Sequence, residues 1–166
     1  DGHTQNMYSI AFAFTPDGKR LVAADSAGGV VVWDVETGEL IQRLFGHGGE
    51  TVSSVTVNPD GSSAITAGGS RLRFWDITQD ATMQLFEAHE AGTIYEVAIS
   101  PDGTKAISTG IYGEFGENEA ILWDTSTFEV IHRLPGFFLG AEFLPDGRSA
   151  ILGGDVTAAL EENPEM

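Results

Sequence analysis

Short alternations of apolar and polar residues, parted by polar turns, fill this chain. The runs "MYSIAF", "VSSVTV" and "IYEVAI" each lead toward a turn written "TPDG", "NPDG" or "SPDG", and "RLVAA", "SAIT" and "KAIST" follow it. A period of two over short, β-branched and aromatic stretches predicts half-buried strands. "VVVWDV" (30–35), "LRFWDI" (72–77) and "AILWDT" (120–125) predict a third strand in each group. After the polar turns "ETGE", "TQDA" and "TSTF", the runs "LIQRLF", "MQLFEA" and "VIHRLP" predict a fourth. No stretch of helical length carries an apolar period of 3.6, the last residues aside.

The "PDG" turn explains why the alternation breaks where it does. Pro presets φ at the first corner, Asp bonds its own backbone, and Gly accepts positive φ, so the triplet closes a hairpin. Its Pro recurs at 16, 59, 101 and 145, with spacings of 43, 42 and 44. Trp33-Asp34, Trp75-Asp76 and Trp123-Asp124 recur at spacings of 42 and 48, and a small residue precedes each of His3, His47 and His89. Three markers on one period predict an array of repeated supersecondary units. The repeats fall at about 2–45, 46–87, 88–135 and 136–160, with a tail at 161–166, in one domain over 1–166.

Gly-His, "SPDG" and Trp-Asp in this order resemble the WD40-repeat β-propeller family over nearly the whole chain. The resemblance implies an all-β fold of four-stranded antiparallel blades arranged radially. It also implies that each repeat supplies the outermost strand of one blade and the three inner strands of the next. In function it implies a non-enzymatic platform that binds other proteins. In the family an acid six residues before the Trp joins the His, a Ser or Thr and the Trp indole in one hydrogen-bonded network. That position is Ala27, Gly69 and Glu117 in the first three repeats; in the fourth it is Asp155, but Glu161-Glu162 replace Trp-Asp. No repeat holds the full set, so His47 and His89 are expected to be partly unsatisfied or solvent-facing.

The strand count gives three groups of four, then two clear strands and a weaker third. This predicts an incomplete propeller of about four blades, a segment of a larger propeller or one part of an assembly whose remaining blades lie elsewhere, with a closed four-bladed ring as the alternative. Its bare edges are expected to associate with further blades or other chains.

Composition narrows the partners. The formal charge is −17, and 74–132 carries eleven acidic residues against the single base Lys105. Such a surface repels phosphate backbones, so nucleic acid is not an expected partner, whereas a basic protein surface is attracted. No apolar run approaches 18 residues, so no membrane span is expected. Cys is absent, which removes disulfides and thiol chemistry and leaves cytoplasm and export equally open.

"SIAFAFTPDG" carries about two residues more than its counterparts between His and the turn, and the longer insertion stands in the third repeat, where "STGIYGEFGENEAILWD" runs about six residues longer before its Trp than the second repeat does. It places Tyr112, Glu114, Phe115, Glu117, Asn118 and Glu119 in an expected exposed loop, the candidate partner-binding site. "EFGENE" lacks the D-x-D-x-D spacing of a calcium loop, and the four His residues form no H-x-x-x-H pair. There is no nucleophile elbow and no phosphate-cradling Gly loop. The sequence therefore assigns no catalytic residue, metal or cofactor. A channel binding a small ligand or metal, or running an enzymatic reaction, and a purely structural element of an assembly are the alternatives to the protein-binding scaffold.

Overall fold

In a computed structural model the chain is built of antiparallel strands, and the structure describes residues 9–78, 83–87, 92–112 and 117–155. The first sheet is β1 (Ser9–Phe14), β2 (Arg20–Asp25), β3 (Gly29–Asp34) and β4 (Leu40–Phe45). The second is β5 (Val52–Val57), β6 (Ser63–Gly68), β7 (Arg71–Asp76) and β8 (Met83–Glu87). The third is β9 (Thr93–Ile99), β10 (Lys105–Tyr112), β11 (Glu117–Asp124) and β12 (Val130–Pro135). A fourth holds β13 (Phe137–Phe143) and β14 (Ala150–Asp155). Within every sheet the spatial order is the chain order, so each is a meander. Among the described residues there is no helix.

The "PDG" hairpin repeats in atomic detail. Asp17, Asp60, Asp102 and Asp146 each accept the backbone N–H two residues on, at 3.0, 2.8, 3.0 and 2.8 Å. The glycine that follows each Asp has φ of 65–73°, open to a residue without a Cβ at little cost. The Asp of each Trp-Asp pair works the same way in the β3–β4, β7–β8 and β11–β12 turns, beside the "PDG" turn at the same end of its sheet: Asp34 accepts from Thr37, Asp76 from Thr78, and Asp124 from Ser126 and Thr127. These hydrogen bonds hold the Asp102 and Asp124 carboxyls down at about 2.

β1, β5, β9 and β13 pack one against the next, which makes them the axial strands of a radial stack and puts β4, β8 and β12 at the rim. Three apolar seams lie between the sheets. Val22, Val30, Val32 and Leu44 of the first meet Ala64, Trp75 and Ile77 of the second. Ile65, Ala67 and Leu72 on the other face of the second meet Ile94, Val97, Ile121 and Trp123. Ile107 and Ala120 then meet Phe138, Ala141 and Phe143. Trp75 and Trp123 thus face the preceding sheet. Polar bonds stitch the seams: Arg20 Nη1 donates to the Ile77 carbonyl at 2.7 Å, and Ser54 Oγ donates to Glu96 at 3.2 Å.

The expected incomplete propeller is what the strands build, and the ring is not closed. Exposure follows from this. Leu44, covered by the second sheet, is 1% exposed; Leu134, at the same place on β12, is 39% exposed because β13 and β14 cover only the inner half of the third sheet. Every residue of β12 is exposed, including His132, as its alternating context implied.

Candidate functional site

The second sheet carries a polar network built without an acid at position 69. His47, on the turn after β4, lies over Gly68, where any added Cβ would collide with the imidazole. Its Nε2 is 2.7 Å from Thr66 Oγ1, and the Trp75 indole N–H donates to the same oxygen at 2.8 Å. Arg73 Nη1 lies 2.5 Å from His47 Nδ1. A guanidinium has donors only, so Nδ1 must accept and Nε2 must carry the proton. Thr66 Oγ1 therefore accepts from two buried donors at once.

His47 is buried with both ring nitrogens bonded, which corrects the expectation of a partly unsatisfied, solvent-facing histidine. The missing acid at Gly69 is supplied from elsewhere. A Cβ built on Gly69 would lie 2.9 Å from the Glu50 carboxylate, which is 3.9 Å from Arg73 Nη2 and 3.8 Å from Arg71 Nη1. Glu50 occupies the space that a side chain at position 69 would need, and Arg73 links it to the imidazole. One signal was present in the sequence: Arg73 stands two before Trp75, where the other repeats have Val31 and Ile121.

In the third sheet Trp123 Nε1 donates to Ser108 Oγ at 2.9 Å. In the first, Ala23 stands where Thr66 and Ser108 stand and offers Trp33 no hydroxyl. His3 and His89 lie outside the described residues.

Burial first, then the Arg73 charge, depresses the His47 pKa from 6.5 to about 3. The native imidazole is neutral while the unfolded one titrates near 6.5, so between these values the unfolded chain binds the extra proton. Stability from this group is whole above 6.5 and is lost as pH falls toward 3. Urea unfolding at pH 7 and pH 5 should differ by up to about 2 kcal/mol on this account. His47→Gln should flatten that slope. The Asp102 and Asp124 carboxyls act only at lower pH.

The inserted segment is shaped differently from the expected loop. β10 and β11 pair as far as Tyr112 opposite Glu117, making them the longest strands described. Glu117, Asn118 and Glu119 thus belong to a strand, because the added residues extend the ladder instead of bulging from it. Glu119 is buried and accepts Arg133 Nη1 at 2.8 and 3.0 Å, pinning β11 to β12. Glu114 and Phe115 lie outside the described residues, as do the side chains of Tyr112 and Glu117. The ladder of this hairpin is continuous to Tyr112–Glu117, with Glu119 tied to Arg133 on β12. Among the described residues no three His, Asp or Glu side chains are grouped to hold a metal ion.

Comparison with known proteins agrees with this geometry. A family model described as "WD domain, G-beta repeat" matches residues 1–34 and 38–76. A guanine nucleotide-binding protein subunit beta of Saccharomyces cerevisiae is 34% identical over 64 residues, covering 39% of this chain and 15% of that protein. Among solved structures, a chain of Kuenenia stuttgartiensis hydrazine synthase superposes with a TM-score of 0.72 at 20% identity, over 83% of this chain and 41% of that one. At that identity the likeness is one of fold. This chain spans well under half of either relative.

Proposed function

Since the chain belongs to the WD40-repeat family, we propose that it is a non-enzymatic protein-binding scaffold, working as a subunit or domain of a larger complex. WD40 repeats generally serve interaction and not catalysis. The observation that carries the reading is the β10–β11 hairpin. It carries the longest insertion into the repeat, and among the described residues that insertion lengthens the ladder. A continuous ladder lowers the ordering cost of recognition at its tip. The acidic residues of the insertion favour a basic partner surface. The yeast relative is, by its name, one subunit of a guanine nucleotide-binding protein, which supports the complex-subunit reading.

A photo-crosslinking residue at Phe115 tests this in an extract of the cells that make the protein. One discrete adduct is expected, competed away by excess unlabelled chain but not by a chain in which 113–116 are replaced by a two-residue Asn-Gly turn that keeps the Glu119–Arg133 pair. Crosslinking that is diffuse, or competed equally by the shortened chain, would remove the hairpin from the binding surface.

A further inference from the structure

The β3–β4 and β11–β12 turns share one hydrogen-bond frame. Asp34 N–H donates to the Glu39 carbonyl at 2.9 Å, and Asp124 N–H to that of Glu129 at 3.0 Å. Gly38 N–H donates back to the Asp34 carbonyl at 3.0 Å, and Phe128 N–H to that of Asp124 at 2.9 Å. Thr37 and Thr127 occupy the same place, each with its N–H on the Asp carboxylate and its hydroxyl accepting from the Glu two residues on. The turns part at the left-handed corner, which is Gly38 with φ 71° in one and Phe128 with φ 60° in the other. Among the described residues Phe128 alone has positive φ without being glycine. A bulky residue held there is strained, and the first turn shows that glycine makes the same frame without that strain. The turn therefore does not account for the phenylalanine; its ring does. It meets the Phe74 ring of the second sheet edge-on, with centroids 5.5 Å apart and planes at 66°. Phe74 in turn packs against the second seam.

The first seam is tied differently at this end, where Arg20 reaches across to the Ile77 carbonyl. In the second sheet Ser63 holds the place of Arg20. It is too short to cross, and its buried hydroxyl makes no hydrogen bond among the described residues. We propose that Phe128 is a latch: its ring on Phe74 shuts the "PDG" end of the second seam, and the strain in its turn biases it to release, so that this seam opens locally while the sheets stay folded. On release Phe128 relaxes to negative φ, its ring swings into solvent, and the edge of Phe74 is uncovered. The first seam, tied by Arg20, stays shut. Only the second and third sheets take part, so the proposal stands apart from the hairpin tip.

A thiol reporter tests it. The chain has no Cys, and Ser63, 4% exposed, lies on the face of β6 that carries Ile65 and Ala67 into this seam. Ser63→Cys therefore supplies a lone buried thiol, whose labelling by excess iodoacetamide reads the opening. Phe128→Gly should speed that labelling at least about tenfold. Urea well below the unfolding transition should leave the rate nearly flat, because a local opening exposes little surface. Stability gives a second readout. In a Phe74→Ala chain the Phe128 ring has nothing to rest on, so adding Phe128→Gly relieves strain and should raise the folding equilibrium constant about fivefold or more. In the otherwise unaltered chain the same change also forfeits the ring contact, and its effect should be at least about threefold less favourable. Labelling unchanged by Phe128→Gly, or rising with urea as steeply as unfolding does, overturns the proposal. So does a Phe128→Gly effect on stability that is the same in both backgrounds.

Discussion

Trp75→Ala is expected to cost about 3–5 kcal/mol of stability, while Trp33→Ala costs less than about half of that in dilute protein. The residue type and the Trp-Asp context are the same, so the difference isolates what covers the ring. Trp75 is 1% exposed between Val30, Val32 and Leu44 on one side and its own sheet on the other, and its indole N–H is bonded to Thr66. Deleting it leaves a cavity between two sheets and strips Thr66 of one donor. Trp33 lies on a face that no described strand covers, so truncation there removes less buried area and opens no enclosed void. Guanidinium unfolding of both variants, monitored by circular dichroism, measures the gap. Equal losses would mean that the first sheet is covered as fully as the second.

Thr66→Val should cost about 2–4 kcal/mol although it keeps shape and volume. The methyl that replaces the hydroxyl cannot accept, so the Trp75 and His47 N–H groups are both left buried without a partner. Thr66→Ser, which keeps the hydroxyl, is the control and should recover most of that loss. If Thr66→Val costs no more than Thr66→Ser, the double-acceptor geometry is wrong, and with it the tautomer that Arg73 imposes. The second sheet is then held by packing alone.

Much of this fold is written locally. Four "PDG" turns close four hairpins because Pro, an Asx bond and a left-handed glycine act within four residues, and no distant contact is needed to choose the conformation. The strands between them are bounded by those turns and alternate with the period that one buried face demands. Their positions are therefore legible in the chain to within a residue or two. The bend at Gly69-Ser70 and the surface place of His132 follow from the same local logic.

The site was less legible. Reading for an acid six residues before Trp75 finds Gly69 and stops there. A glycine leaves space, and what fills it is settled by which side chains reach across the sheet. Glu50 and Arg73 come from different elements, 23 residues apart, and meet only once β7 is paired with β6 and the His47 turn folds over them. The insertion misled for a related reason. Added length before Trp123 can leave as a loop or continue a ladder, and composition does not distinguish these; the pairing of β10 with β11 and the Glu119–Arg133 pair decide for the ladder.

By itself the sequence determined the strands, their turns and their grouping in fours, because turn chemistry and side-chain alternation are short-range. Only the tertiary structure decided which faces are covered, where the polar network obtains its missing charge, and that Phe14 and Ile151 are left exposed. Burial belongs to a residue's neighbours in space, and those are fixed by the packing of one sheet on the next.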